Sequence, residues 1–200
     1  MNNSRSTPRV RLMALAVVAC IILVAVTERP TFSGFVSGMA GFLGFVLVAI
    51  AALGRLWTSL FIAGRKDTTL VLSGPYAACR HPLYLLSLIG MLGLGLATRS
   101  VVLLVALVSI AALLHVGAMR VEDALLERTH GDAARRYRAQ VPALVPAWSR
   151  YAVPAWMEIQ PRVVWKAVLD AGSLLLALAL VQAAHVLQHA GAIAPWWRLP

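Results

Sequence analysis

Five stretches of this chain contain no Asp, Glu, Lys or Arg: 12–27, 30–54, 82–98, 100–119 and 171–197. A helix rises about 1.5 Å per residue and a bilayer's hydrocarbon core is about 30 Å thick, so a span takes roughly 20 residues and at least about 17. Stretches 30–54, 100–119 and 171–197 meet that length. Stretch 12–27 meets it with Val10 and Arg11 at its edge, where the arginine can snorkel its charge to the headgroups. Stretch 82–98 is the weakest, because Pro82, Gly90, Gly93 and Gly95 lower its helix propensity. It is counted as a span because 100–119 would otherwise return through the membrane alone. The chain therefore reads as an all-α polytopic transmembrane protein, one domain over 1–200, with about five spans at 10–28, 31–54, 82–98, 100–119 and 168–190. Composition agrees: 60% of residues are hydrophobic and 13% charged, where a soluble domain carries roughly a quarter charged.

Arg5, Arg9 and Arg11 ahead of an apolar run could mark a secretory signal, but no small-residue cleavage site ends the run and further spans follow at once, so a first membrane helix is expected. The net charge of +10 would suggest nucleic acid as a partner of a soluble chain. Here the arginines crowd the segments that border spans, and the positive-inside rule accounts for them without nucleic acid. Arg55, Arg65, Lys66 and Arg80 fill the connection at 55–81, and more basic residues follow in 120–162, whereas only Glu28 with Arg29, and Arg99, sit in the intervening turns. These counts place the amino terminus, 55–81 and 120–166 in the cytoplasm and the carboxyl terminus outside, with Trp196 and Trp197 as interfacial anchors. Membrane lipids are the expected surroundings. Cys20 lies in a span and Cys79 in a loop, at depths that do not suit a disulfide.

Gly34, Gly38, Gly41 and Gly44 recur every three or four residues along the second span, a spacing that lets helices approach closely within the protomer or in a homo-oligomer. Residues 56–63 either extend that span or lie along the surface. Gly74–Pro75 signals a turn, and Pro82 suits the first turn of the third span. Residues 120–130 and 132–140 read as two helical pieces divided by Gly131, and Pro146, Pro154 and Pro161 predict an irregular stretch afterwards. His185 and His189, four apart in the last span, predict a helix contact or an interfacial position.

Polar groups for chemistry come from two places, 65–84 and 115–150. Arg80 and His81 stand where a loop enters the bilayer. They could bind an anion and accept a proton, or equally touch headgroups and satisfy backbone groups. His115, Met119 and Glu122 share one helical face. A carboxylate such as Glu122 near the low-dielectric edge requires a partner, either an arginine or a cationic ligand. No set of His, Cys and carboxylates has recognisable metal-ligand spacing, so no metal is expected.

The segment Ser73-Gly74-Pro75-Tyr76 followed by Arg80-His81-Pro82-Leu83-Tyr84 resembles the G-x-Y-x-x-x-R-H-P-x-Y signature of the isoprenylcysteine carboxyl methyltransferase and phospholipid methyltransferase superfamily. Glu122-Asp123-Ala124-Leu125-Leu126, then Gly131, Tyr137, Val141-Pro142 and Pro146, resembles its second block. The resemblance implies a polytopic membrane enzyme that transfers methyl from S-adenosylmethionine, with its cofactor site at the cytoplasmic face of a bacterial inner membrane, built from 73–84 and 115–146. It implies Tyr76, His81, Pro82, Tyr84, His115 and Glu122 as cofactor-binding residues and Arg80, Glu122 and Tyr137 as catalytic ones. The sequence departs from the pattern at His130, Ala134 and Ala143, where the family often has phenylalanine, tyrosine and arginine. The aliphatic third and fourth spans favour a lipophilic small acceptor, an isoprenylcysteine-like carboxylate or thiol first, then a phospholipid amine, then a small thiol. The other function class is a membrane protein of the same fold whose catalysis has drifted or been lost.

Overall fold

The computed structural model describes residues 7–27, 34–62 and 69–193. Arg5, the 28–29 connection, the 64–67 turn and the Trp196 and Trp197 anchor lie outside the described residues. The described chain is all-α: α1 (Thr7–Val26), α2 (Gly34–Ile62), α3 (Pro75–Ala78), α4 (Pro82–Ala97), α5 (Val101–His130), α6 (Asp132–Gln140) and α7 (Pro161–His189), with one 3₁₀ turn at Trp148–Arg150. By length and apolar composition α2, α5 and α7 suffice to cross a membrane, while α4 and the apolar part of α1 are shorter.

Of the two readings of 56–63, the structure shows the first: α2 absorbs 56–62 as a direct continuation. α5 joins the fourth span and the 120–130 piece into one helix, because no proline or glycine-rich break separates them. Pro161 opens α7, where its missing amide hydrogen would have no helical partner in any case. α4 begins at Pro82 for the same reason.

The residues cluster into two compact units, and α2, α4, α5 and α7 each contribute a portion to both. The first unit comprises residues up to Ile50, Leu88–Leu114 and residues from Ser173 onward. Its core holds Val48, Leu94, Leu107, Leu178 and Val181, while Phe35, Phe42, Phe45, Val105, Leu113 and Val186 are exposed. Large apolar side chains facing outward are what a hydrocarbon solvent permits. α2 and α4 approach at glycines: a Cβ on Gly44 would stand 2.6 Å from the Gly93 carbonyl oxygen and 2.8 Å from the Ala97 nitrogen. Gln188 donates to the carbonyls of Val24, Ala25 and Thr27 at 2.8, 3.1 and 3.0 Å, satisfying the end of α1. His185 is buried with Nε2 3.3 Å from the Ala97 carbonyl oxygen, a helix contact.

The second unit comprises Ala51–Ser87 and His115–Gly172. Arg55 fastens three helices within it: it pairs with Asp170 of α7 and donates to Ser87 Oγ and, at 3.3 Å, to the Leu83 carbonyl of α4. α3 starts after Gly74, whose φ of 58° belongs to the left-handed region. The ring of Phe61 occupies the space a Cβ there would need, so glycine is required twice over.

Candidate functional site

The polar residues of the second unit gather where the loop after α3 meets the polar half of α5. Two backbone hydrogen bonds set the loop's path: Arg80 N–H donates to the Pro142 carbonyl at 2.9 Å and His81 N–H to the Ala143 carbonyl at 3.0 Å. The Cys79 thiol donates to the Ala143 carbonyl at 3.1 Å, and burial raises its pKa. Cys20 and Cys79 are both free and buried.

On that loop Arg80 and His81 converge on a single carboxylate. Arg80 Nη1 donates to Asp123 Oδ2 at 2.6 Å, and His81 Nε2 lies 3.0 Å from Asp123 Oδ1. A carboxylate only accepts, so Nε2 carries the proton and Nδ1 is left as an acceptor in the neutral ring. Nδ1 stands 3.8 Å from Glu122 Oε2. His81 is 2% exposed, and burial lowers its pKa against the opposing pull of Asp123 and Glu122. Arg80 and Asp123 are 12% and 14% exposed, whereas Glu122 is 36% exposed and makes only the long contact to His81. Arg80 Nε is buried with no hydrogen-bond partner.

Aromatic rings extend the cluster. Tyr84 lies 5.7 Å from His81 and meets His115 edge-on with centroids 5.0 Å apart, which joins the first turn of α4 to α5. Pro82 sits at the start of α4 and fixes where that turn begins. Tyr137 of α6 is buried, and its hydroxyl donates to the Tyr76 carbonyl at 2.8 Å. That hydrogen bond ties α6 to α3 and takes up the phenolic proton. Burial raises the pKa of both tyrosines.

The structure thus brings Arg80, His81, Tyr84, His115 and Glu122 together, and gives Tyr76 and Tyr137 a joint role in packing α3 on α6. Reasoning from sequence missed Asp123 as the residue that organises the cluster. The available signal was its place in the acidic pair. Glu122 was expected to meet an arginine or a cationic ligand; Arg80 pairs with Asp123 one position on, and the cationic ligand is the alternative left for Glu122. A small cleft beside the cluster is lined by Arg80, Asp123, Leu126, Glu127, Ala134, Tyr137 and Arg138 and encloses about 10 Å³, room for about one water molecule. Ala134 forms part of its wall, so the missing family tyrosine leaves room there. Among the described residues no group of three or more His, Cys, Asp or Glu is placed to hold a metal ion.

The family model described as phospholipid methyltransferase matches residues 32–133. The match includes Arg80, His81, Glu122 and Asp123 and ends before Tyr137. Among characterised proteins, the chain is similar to the cobalt-zinc-cadmium resistance protein CzcN of Cupriavidus metallidurans, 44% identical over 109 residues, which are 54% of this chain and 50% of that protein. It is also similar to the nickel-cobalt-cadmium resistance protein NccN of Alcaligenes xylosoxydans xylosoxydans, 39% identical over 132 residues, which are 64% of this chain and 62% of that protein. The chain therefore spans between half and two thirds of the length of these relatives. No solved structure matches it.

Proposed function

The chain belongs to the phospholipid methyltransferase family, and from that membership we propose that it supports bacterial tolerance of divalent transition metals from within the membrane, through a polar site suited to a small charged organic ligand. The observation that carries the tolerance role is that two relatives, each over more than half of this chain, are named as resistance proteins toward cobalt and cadmium together with zinc or nickel. A protein that retains the family fold while catalysis has drifted would serve such a role by binding or assembly.

A second reading, S-adenosylmethionine-dependent methyl transfer to a lipophilic small acceptor at the cytoplasmic membrane face, rests on a specific observation. Arg80 is a nearly buried guanidinium with one N–H unpaired, and Glu122 is a carboxylate with only a long contact. That donor set fits a molecule bearing both a carboxylate and cationic groups, as S-adenosylmethionine does. Arg80 would hold the carboxylate, Glu122 the cationic part, and the Tyr84–His115 pair an apolar wall. When bound, the cofactor supplies a methyl already activated by positive sulfur. The chain's own part is alignment and exclusion of water. An isoprenylcysteine-like thiol or carboxylate is the first acceptor, a phospholipid amine or a small thiol the next. A homo-oligomer through α2 would use Gly34 and Gly38, where an added Cβ would meet nothing within 4 Å.

The test pairs two measurements. Growth of a deletion strain on cobalt, zinc and cadmium is compared after complementation with the native chain or Glu122→Gln, and calorimetry follows S-adenosylmethionine binding by the purified chain in nanodiscs. The native chain should restore growth, and failure to do so rejects the tolerance role. Glu122→Gln should weaken cofactor affinity roughly tenfold or more, the value of a charge-assisted contact. No binding by the native chain rejects the methyl-transfer reading alone.

A further inference from the structure

Between α6 and the first turns of α7 the chain displays three large aromatic side chains: Trp148, Trp156 and Trp165 are 72%, 80% and 65% exposed. Val145 and Val153 of the same segment are also exposed, and Trp57 of α2 meets the segment at Tyr151, its indole N–H donating to the Tyr151 hydroxyl at 2.8 Å. Interleaved with the rings are Arg150, Arg162 and Lys166, all exposed, against the single acid Glu158 within 141–166. A tryptophan has an apolar body and one polar edge, so it gains most in the headgroup layer of a bilayer. Lysine and arginine among such rings gain most where the headgroups are anionic.

The same segment is joined by its backbone to the loop that carries the site. Gly74 N–H donates to the Ala152 carbonyl at 2.7 Å and Ala147 N–H to the Ala78 carbonyl at 2.9 Å, beyond the bonds from Arg80 and His81 to Pro142 and Ala143. Three amides and one carbonyl across 74–81 thus depend on where 142–152 lies. We infer that the surface formed by 145–166 docks anionic phospholipid headgroups, and that the docked surface holds the Arg80–His81 loop in place. The charge balance selects the anionic lipid over a zwitterionic one. The inference is independent of whether the chain transfers methyl groups.

The full chain in nanodiscs of phosphatidylcholine, with or without phosphatidylglycerol, tests both halves. Tryptophan fluorescence is quenched with brominated forms of either lipid at equal mole fraction, with Trp→Phe changes at 148, 156 and 165 assigning the signal. Amide hydrogen exchange is followed at residues 74, 80, 81 and 147. Brominated phosphatidylglycerol should quench severalfold more than brominated phosphatidylcholine, and the four amides should exchange about tenfold more slowly in its presence, since each basic residue adds roughly a fivefold preference for an anionic surface. The combined Arg150→Gln, Arg162→Gln and Lys166→Gln variant should lose the preference. High salt should abolish it in the native chain by screening, which keeps the test valid if the variant fails to fold. Equal quenching by the two lipids, or a preference indifferent to salt, overturns the anionic-lipid assignment. Quenching by neither lipid, as when a second copy covers the rings, overturns it as well. Preferential quenching with unchanged exchange overturns the coupling to the loop.

Discussion

Two neighbouring acids, Glu122 and Asp123, divide the work of the site, and only their surroundings tell them apart. Asp123 accepts from both Arg80 and His81 in a nearly buried setting, so Asp123→Asn leaves a guanidinium without its counter-charge. Breaking one side of such a pair costs about 3 kcal/mol, and the unfolding midpoint in detergent should fall accordingly. Glu122 is more exposed and its contact to His81 is long. Glu122→Gln should therefore change stability by less than about 0.5 kcal/mol. Equal losses for the two variants would show that Glu122 is as structural as its neighbour. Reading the sequence found the Arg80–His81 loop and the acidic pair through their motifs, but not the pairing. Adjacent residues on a helix point about 100° apart, and which one meets Arg80 depends on a loop path set by backbone bonds to Pro142 and Ala143. Those bonds leave no trace in residue type. The hydrogen bond from Tyr137 to the Tyr76 carbonyl is hidden in the same way, because its acceptor is main chain.

Among the elements, the glycine stripe of α2 shows how far periodicity reaches. Spacing predicts one packing face, and the structure divides it. At Gly44 a side chain would meet the backbone of Gly93 and Ala97, which cannot yield, while at Gly38 nothing lies within 4 Å. Gly44→Ala should destabilise by about 1–3 kcal/mol through overpacking. Gly38→Ala should be neutral or stabilising by up to about 1 kcal/mol, since it removes a helix-weakening residue. Thermal unfolding of the two variants in one detergent checks this, and a destabilised Gly38→Ala would point to a partner on that face. The helices themselves were legible wherever charge-free length or a proline marked them, as at Pro82 and at Gly131 between α5 and α6. The run of α5 through 119–121 was legible only in the shared face of His115, Met119 and Glu122, because a change from apolar to charged residues marks a change of solvent and leaves helix geometry untouched. Pro161 was read as part of an irregular stretch, although proline equally opens a helix.

At the scale of the whole molecule, the backbone constrains the number of spans more tightly than hydropathy does. α4 has 16 residues, about 24 Å of helix, and on length alone it falls short of a bilayer core of about 30 Å. Yet Gly74 is hydrogen-bonded to Ala152 and Ala147 to Ala78, so the loops on either side of α4, α5 and α6 must lie on the same side of the membrane. The chain between them must therefore cross an even number of times. α5 is long and apolar enough for one crossing, and α6, with three arginines and an aspartate in nine residues, is too polar for another. The remaining crossing is then expected of α4, a short span of the kind that local thinning of the bilayer accommodates. Reporters fused at residues 70 and 145 should accordingly report the same side and one at 99 the opposite side, with the arginine distribution placing 70 and 145 in the cytoplasm. If α1, α2 and α7 each cross once, reporters at 30, 70, 99, 145 and 200 alternate out, in, out, in, out. Residues 70 and 145 on opposite sides would be incompatible with the hydrogen bonds that shape the site, and would remove both the five-span topology and the Arg80–His81–Asp123 cluster together.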